Sequence, residues 1–133
     1  MSALTQGTHH IGLTVSALEA SAHFFIALLG WKEVRRDPEY PAIYVTDGYT
    51  MVTLWQARST SAAEFDKNHN IGLHHIAFKV ETEETLHQIY DLMLGAEKVS
   101  IEFAPELVRN GPAMHMIVYE PSGIRVEFIW PGE

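Results

Sequence analysis

The chain has 133 residues, of which 47% are hydrophobic and 20% are charged, a size and composition typical of one folded domain. Its 17 acidic and 9 basic residues give a net charge of −8 without a basic stripe, which argues against a nucleic-acid partner. Cysteine is absent, which excludes disulfides, thiolate metal ligands and a cysteine nucleophile. The longest apolar run, at 24–30, is far short of the ~20 residues of a membrane span, and no leader-like segment is evident, so we expect a cytoplasmic protein without a membrane partner.

The sequence repeats itself at an offset of 65 residues, from His10 to His75. The segment HIGLTV at 10–15 aligns with HIAFKV at 75–80, and the alignment continues without a gap through the next twenty residues. Such a register indicates two copies of one structural unit. We predict a single domain, 1–133, with the following parts: module one at about 5–57, a polar linker at about 58–70 and module two at about 71–131.

Each module begins with the apolar–polar alternation of a half-buried strand, followed by an amphipathic helix. In module one, Ser16 stands three residues before Glu19, the spacing of a capping box, and Gly30 is expected to end the helix. In module two, we expect Thr82 to cap the helix and Gly95 to end it. Strand-forming segments around Gly-containing turns follow each helix, at 42–46, 49–56, 114–119 and 124–130.

The last strand of each module aligns Thr53 with Glu127. The offset here is 74 rather than 65 residues, so module two carries nine additional residues. We predict that they form a loop within 102–112, and that this loop acts as a lid over the site.

Strand parity predicts which side chains share a face, because successive residues of a strand point to opposite sides. The apolar residues of the first strands are expected to pack under the helices, which leaves His10 and His75 on the opposite face. Glu127 shares that face, and Thr53 is its counterpart in module one. Two imidazoles and one carboxylate with open positions suit Fe(II), Mn(II) or a similar ion. We therefore predict a metal site formed by His10, His75 and Glu127.

Further residues of the predicted histidine face are candidates for a substrate pocket, namely Thr53, Trp55, Met51 and Arg125. His115 has the strand parity of Glu127 and is a candidate catalytic acid or base, although a partly exposed strand histidine fits the pattern equally well. The parity of His9 and His74 places them on the apolar face or at a strand end, so they are interpreted as structural.

These features resemble the vicinal oxygen chelate superfamily, which includes glyoxalase I, methylmalonyl-CoA epimerase, fosfomycin-resistance thiol transferases, bleomycin-resistance proteins and extradiol dioxygenases. The resemblance rests on HIGLTV at 10–15, Leu29-Gly30, GLHHIAFKV at 72–80 and PSGIRVE at 121–127, and it covers nearly the whole chain. It implies an α+β fold, in which two βαβββ modules form an open, barrel-like mixed sheet with helices on the outer face.

Carried over position by position, the resemblance assigns the metal to His10, His75 and Glu127, the same three residues that the parity argument predicts. Glyoxalase I has a fourth ligand, usually a glutamate that transfers a proton, at the position of Thr53, and threonine is not a comparable base. Extradiol dioxygenases usually carry an acid/base tyrosine at the position of Ile117, and His115 is a candidate to take its place.

The combined expectation is a metalloenzyme that activates a small substrate through two adjacent oxygens, with chemistry closest to that of extradiol dioxygenases. One divalent ion is expected, with Fe(II) or Mn(II) favoured over Ni(II), Co(II) or Zn(II). The first alternative is a glyoxalase- or epimerase-type lyase or isomerase. The second is a metal-free, ligand-sequestering protein of the bleomycin-resistance type. The resemblance also implies a homodimer.

Overall fold

The structure, a computed structural model, describes all 133 residues, which form two compact units, Met1–Thr60 and Ser61–Glu133. The first unit contains β1 (Ile11–Val15), α1 (Leu18–His23) with a π-helical continuation (Phe24–Leu28), β2 (Lys32–Asp37), β3 (Ala42–Thr46) and β4 (Met51–Gln56). The second contains β5 (Ile76–Lys79), α2 (Glu83–Leu94), β6 (Ser100–Leu107), β7 (Met114–Tyr119) and β8 (Arg125–Trp130). None of the helices combines the length and the apolarity needed to cross a membrane.

The two units have the same sheet topology. The strand orders are β1-β4-β3-β2 and β5-β8-β7-β6, and in each sheet only the first pair of strands is parallel. The registers also correspond, because Gly12 pairs with Thr53 in one sheet and Ala77 pairs with Glu127 in the other. The predicted repeat, the alignment of Thr53 with Glu127 and the α+β fold of two βαβββ units are therefore confirmed. Neither sheet closes on itself.

Alternation along β1 and β5 separates the core from the opposite face, as the parity argument predicted. Leu13 and Val15 are buried in β1, and Ile76 and Phe78 are buried in β5, whereas the residues between them are exposed. Apolar helix residues complete each core, including Ala22, Phe24 and Phe25 in the first unit and Leu86, Ile89 and Met93 in the second.

The predicted capping box at the start of α1 is wrong. The N-cap position is Ala17, and no side chain of the neighbouring sequence caps the helix. Instead Gln56, at the end of β4, accepts a hydrogen bond from the backbone N–H of Leu18 at 3.0 Å and donates one to the carbonyl of Ser16 at 2.8 Å. A side chain distant in sequence therefore satisfies the helix terminus that Ser16 and Glu19 were expected to close.

The start of α2 is capped as predicted. Thr82 is the N-cap residue, and its hydroxyl accepts from the backbone N–H of Thr85 at 3.0 Å. Gly30 follows the helical segment of the first unit with a φ of +76°, a conformation that favours glycine. Gly95 also ends its helix, but with an ordinary φ of −87°, so no left-handed residue is required there.

The sequence pattern did not locate β2 and β6. β2 is an exposed edge strand of the sequence KEVRRD, whose charges protect the edge from further strand pairing and hide the strand's alternation. β6 occupies Ser100–Leu107, so most of the predicted loop at 102–112 is a strand, paired irregularly with β7. β6 is two residues longer than β2, so the additional residues of module two lie only partly in strands, and the prediction of a loop throughout 102–112 is wrong.

Candidate metal and substrate site

The second unit places Glu127 between two histidines. The side chain of Glu127, on β8, is only 12% exposed. One of its carboxylate oxygens accepts a hydrogen bond at 2.5 Å from Nδ1 of His115, on the neighbouring strand β7. The other oxygen lies 3.3 Å from Nε2 of His75, the residue immediately before β5. Two of the three predicted ligands and the predicted catalytic histidine therefore lie together in this unit.

The hydrogen bonds of His74 determine the tautomer of His75. Nδ1 of His74 lies 3.3 Å from Nη1 of Arg125, and because a guanidinium only donates, this nitrogen is an acceptor. Nδ1 of His75 lies 2.8 Å from the same nitrogen, so it must carry the proton of that hydrogen bond. A neutral His75 consequently has an unprotonated Nε2, which faces Glu127.

Two electron-rich atoms thus approach each other across the gap between His75 and Glu127. Nε2 of a neutral His75 and the carboxylate oxygen are both acceptors at a separation of 3.3 Å. Such a contact is favourable only when a positive group is shared, either a proton on the imidazole or a cation bound by both side chains. The arrangement has the chemistry of a pair of metal ligands.

The guanidinium of Arg125 is occupied by Glu102, on β6. Nε and Nη2 of Arg125 donate to the two oxygens of Glu102 at 2.9 and 2.7 Å, and the hydroxyl of Tyr119 donates to Glu102 at 2.5 Å. The hydrogen bonds from Arg125, followed by that from Tyr119, lower the pKa of Glu102 to about 2. The pKa of His74 is also lowered, by partial desolvation and then by the positive charge of Arg125, which favours the neutral acceptor described above. Arg125, a candidate for the substrate pocket, is thus already paired with a carboxylate.

In the first unit, Thr53 and Trp55 form a small polar cluster over β1. Thr53 is buried, with 2% of its surface exposed. Its hydroxyl accepts from the indole N–H of Trp55 at 2.9 Å and approaches the carbonyl of Ile11 at 3.5 Å. A Cβ atom at Gly12 would lie 3.2 Å from the Thr53 hydroxyl and 3.5 Å from the indole nitrogen, so glycine makes room for the cluster. The position that matches Glu127 therefore holds a hydroxyl that is already engaged by Trp55 and Ile11.

His10 lies immediately before β1, where it is exposed and in contact with His9. The Nδ1 atoms of the two rings are 2.9 Å apart, and the rings are nearly perpendicular with centroids 5.1 Å apart. His74 and His75 repeat this arrangement, with 2.8 Å between the Nδ1 atoms and 5.0 Å between the centroids. His9 and His74 thus lie at strand ends, one of the two places predicted for them, but they contact the predicted ligands. The doubled His-His pair in the repeat was the sequence signal for this contact.

A groove with a volume of about 450 Å³ lies beside Trp55 in the first unit. Tyr40 meets Trp55 edge to face with 6.4 Å between the ring centroids, and Arg58 stacks over Tyr40 at 5.2 Å. These rings can contact an apolar or aromatic part of a small molecule. Met51, the remaining pocket candidate, is half-buried at the start of β4.

The residues of the second unit fit part of a metal site. No group of three His, Cys, Asp or Glu side chains is arranged to hold an ion as the side chains stand. Adjacent ligands of a divalent ion with bonds of ~2.1 Å lie about 3 Å apart, and the His75–Glu127 separation of 3.3 Å is close to this spacing. The donor types are those of a two-histidine, one-carboxylate site. His10, the third predicted ligand, belongs to the first unit.

Residues 7–128 match the family model of the Glyoxalase/Bleomycin resistance protein/Dioxygenase superfamily. The chain belongs to this superfamily. A crystal structure of a glyoxylase/bleomycin resistance protein/dioxygenase domain from Frankia sp. EAN1pec is similar, with a TM-score of 0.83, 21% identity, and coverage of 97% of this chain and 94% of that one. The expected relationship to the vicinal oxygen chelate proteins is therefore confirmed.

Two further members of the superfamily have the same fold under different functional names. Lactoylglutathione lyase from Agrobacterium tumefaciens matches with a TM-score of 0.73, 17% identity and coverage of 96% of both chains. A fosfomycin resistance protein from Listeria monocytogenes matches with a TM-score of 0.72, 18% identity, and coverage of 96% of this chain and 94% of that one. No curated protein matches the sequence. At identities of 17 to 21%, these structures show that the fold is shared. The reaction has to be inferred from the residues of the site.

Proposed function

We propose that this chain is a metal-dependent enzyme of the superfamily, in which His10, His75 and Glu127 bind one divalent ion. When bound, the ion supplies Lewis-acid stabilisation of negative charge on two adjacent oxygens of a small substrate. The observation that carries the proposal is the contact between Nε2 of His75 and the carboxylate of Glu127, 3.3 Å apart, which a cation bound by both side chains would stabilise. The donor set favours Fe(II) or Mn(II), with Ni(II), Co(II) and Zn(II) as the other candidates.

In this proposal His115 has two tasks. Its Nδ1–H donates to Glu127 at 2.5 Å, which orients the carboxylate and leaves one oxygen directed toward His75. Since Nδ1 carries that hydrogen bond, Nε2 is the ring nitrogen that can exchange a proton with a substrate. The side chain is 19% exposed, so a small molecule can reach it. His115 is therefore the proposed acid/base residue.

Thr53 favours oxygen chemistry over a glyoxalase-type isomerisation. An isomerase of the glyoxalase I kind needs a carboxylate base at this position, whereas Thr53 is a buried hydroxyl engaged by Trp55. An extradiol dioxygenase needs open coordination positions and a redox-active metal, and both are compatible with threonine here. We accordingly propose cleavage of a catechol-like substrate.

Metal analysis of matched variants tests the proposed ligands. We expect the wild-type protein to bind one divalent ion per chain, and His10→Ala, His75→Ala and Glu127→Ala each to weaken binding by about tenfold or more. His87→Ala is the control, because His87 lies on the exposed surface of α2. A wild-type protein that binds no metal, or three variants that retain full metal content, would contradict the proposal. The first result would favour the metal-free, ligand-sequestering function.

A second experiment tests the reaction class. Protein loaded with Fe(II) without air and then exposed to oxygen should consume oxygen with at least one member of a panel of catechols. The Glu127→Ala variant, treated in the same way, should not. Efficient isomerisation of a glutathione hemithioacetal by the wild-type protein, with no oxygen uptake on the panel, would instead establish glyoxalase-type chemistry.

A further inference from the structure

Two histidine pairs, His9-His10 and His74-His75, form the same contact in both units. Each pair directly precedes the first strand of its unit, outside the regular alternation that sends neighbouring strand residues to opposite sides. Consecutive imidazoles can therefore meet, with Nδ1 atoms 2.9 and 2.8 Å apart and rings close to perpendicular. A contact built twice, at positions related by the repeat, points to a common role.

We propose that His9 and His74 are positioning residues, which accept a hydrogen bond from Nδ1 of His10 and His75 and so direct the Nε2 lone pair of each toward the metal. This inference rests on the proposed function, because it concerns the orientation of two proposed ligands. Metal-binding histidines commonly donate their second ring N–H to an acceptor, which fixes the tautomer and the ring plane and increases the basicity of the ligating nitrogen. Here that acceptor is a second imidazole.

The direction of the hydrogen bond is fixed in the second unit. Nη1 of Arg125 lies 3.3 Å from Nδ1 of His74, so this nitrogen faces a permanent donor and holds its lone pair toward both Arg125 and His75. Arg125 is in turn held by the two hydrogen bonds that it donates to Glu102. Glu102, Arg125, His74 and His75 therefore form a chain of contacts that ends at Nε2, 3.3 Å from Glu127.

Three variants separate this role from a merely structural one. His74→Ala removes the acceptor, whereas His74→Asn keeps an oxygen acceptor close to the position of Nδ1. His87→Ala, on the exposed surface of α2, is the matched control. Circular dichroism verifies that each variant is folded, and His9→Ala and His9→Asn repeat the comparison in the first unit.

Two measurements, neither of which depends on activity, decide the question. In metal-free protein at mildly alkaline pH, ¹⁵N NMR should find the proton of His75 on Nδ1 in the wild type and in His74→Asn, and mainly on Nε2 in His74→Ala. Calorimetry with Mn(II) should find binding weakened by about 10 to 100-fold in His74→Ala, and by only a few-fold in His74→Asn. The control should match the wild type in both.

The outcomes distinguish this inference from the proposed function. A His75 proton on Nε2 in the wild type, or a His74→Ala variant with unchanged Mn(II) affinity, would overturn the positioning role while leaving the metal site intact. A His74→Asn variant as defective as His74→Ala would also overturn it, because the retained acceptor would then have no effect. A wild-type protein that binds no divalent ion, either by metal analysis or by calorimetry, would overturn both the proposed function and the inference.

Discussion

Thr53 shows how one side chain limits the chemistry available at its position in the first unit. Its hydroxyl lies at the place that corresponds to Glu127 in the repeat, but it is buried and accepts from the indole of Trp55. Gly12 leaves just enough space for both groups. A longer, charged side chain at position 53 would require the indole to move. The hydrogen bond therefore holds the indole of Trp55, which lines the groove, while the Thr53 hydroxyl itself supplies no base.

The substitution Thr53→Val should destabilise the protein by about 1 kcal/mol, since the indole N–H of Trp55 loses its acceptor while the volume of the side chain is kept. Urea unfolding measures the change in the free energy of unfolding. Thr53→Ser retains the hydroxyl and is the control, from which we expect loss of a methyl group only and an unchanged environment of Trp55 in near-ultraviolet circular dichroism. Equal stability of Thr53→Val and the wild type would show that this hydrogen bond contributes nothing.

At the level of elements, one polar network connects three strands of the second sheet. Glu102 on β6 receives hydrogen bonds from Arg125 on β8 and from Tyr119 on β7. These partners stabilise the ionised carboxylate and lower its pKa from 4.5 to about 2. A carboxyl group whose pKa is depressed by folding stabilises the protein above its unfolded pKa, and this contribution is lost as the pH falls toward the folded pKa.

The Glu102→Gln variant should therefore be less stable than the wild type at neutral pH, with a difference that shrinks from about pH 5 downward. The shift in pKa sets an upper limit of about 3 kcal/mol, which partial solvent exposure of the pair reduces to about 1 to 2 kcal/mol. Urea unfolding at pH 7 and at pH 3 measures the difference. Glu97→Gln is the control on the exposed surface. If Glu102→Gln is destabilised equally at both pH values, the pKa of Glu102 is not lowered by contacts that form on folding.

Local sequence patterns predicted those elements whose determinants are local. The cap of α2 is formed by Thr82 with a residue three positions away, so the sequence reveals it. The cap of α1 comes from Gln56, 38 residues beyond Leu18, and no local pattern contains it. A loop is predicted at β6 because the nine additional residues of module two are placed there, although the exposure of β6 alternates along the strand and Pro105 is compatible with its edge position.

The candidate site was predictable to the extent that strand parity governs it. Parity placed Glu127 and His115 on one face, and the structure brings these two side chains into contact. It did not predict the contacts of His9 and His74 with the neighbouring histidines, because both precede the regular strands and their directions follow local backbone geometry. Which of the ring nitrogens carries a proton depends on Arg125, whose approach to His74 is a tertiary contact.

For the whole molecule, the open sheets bear on the oligomeric state. Each four-stranded sheet ends in two edge strands, since neither sheet closes. Edge strands are protected by charges or covered by another surface. β2 carries Lys32, Arg35 and Arg36 together with acidic residues, and it is exposed, so this edge is protected by charge. The other strands at sheet edges, β1, β5 and β6, have less charged sequences. Association of two copies is one way to cover such edges.

We predict that the protein is a homodimer of about 30 kDa, twice the chain mass of 15.0 kDa, as the resemblance to the superfamily implies. Light scattering coupled to size-exclusion chromatography at micromolar concentration measures the mass, and a value near that of one chain would contradict the prediction. Mixing and refolding His10→Ala with Glu127→Ala then shows how the dimer relates to the proposed ligands. When two chains share each site, random pairing restores about a quarter of the metal sites, because half of the dimers are mixed and each has one intact ligand set. When each chain supplies its own three ligands, no pairing restores any.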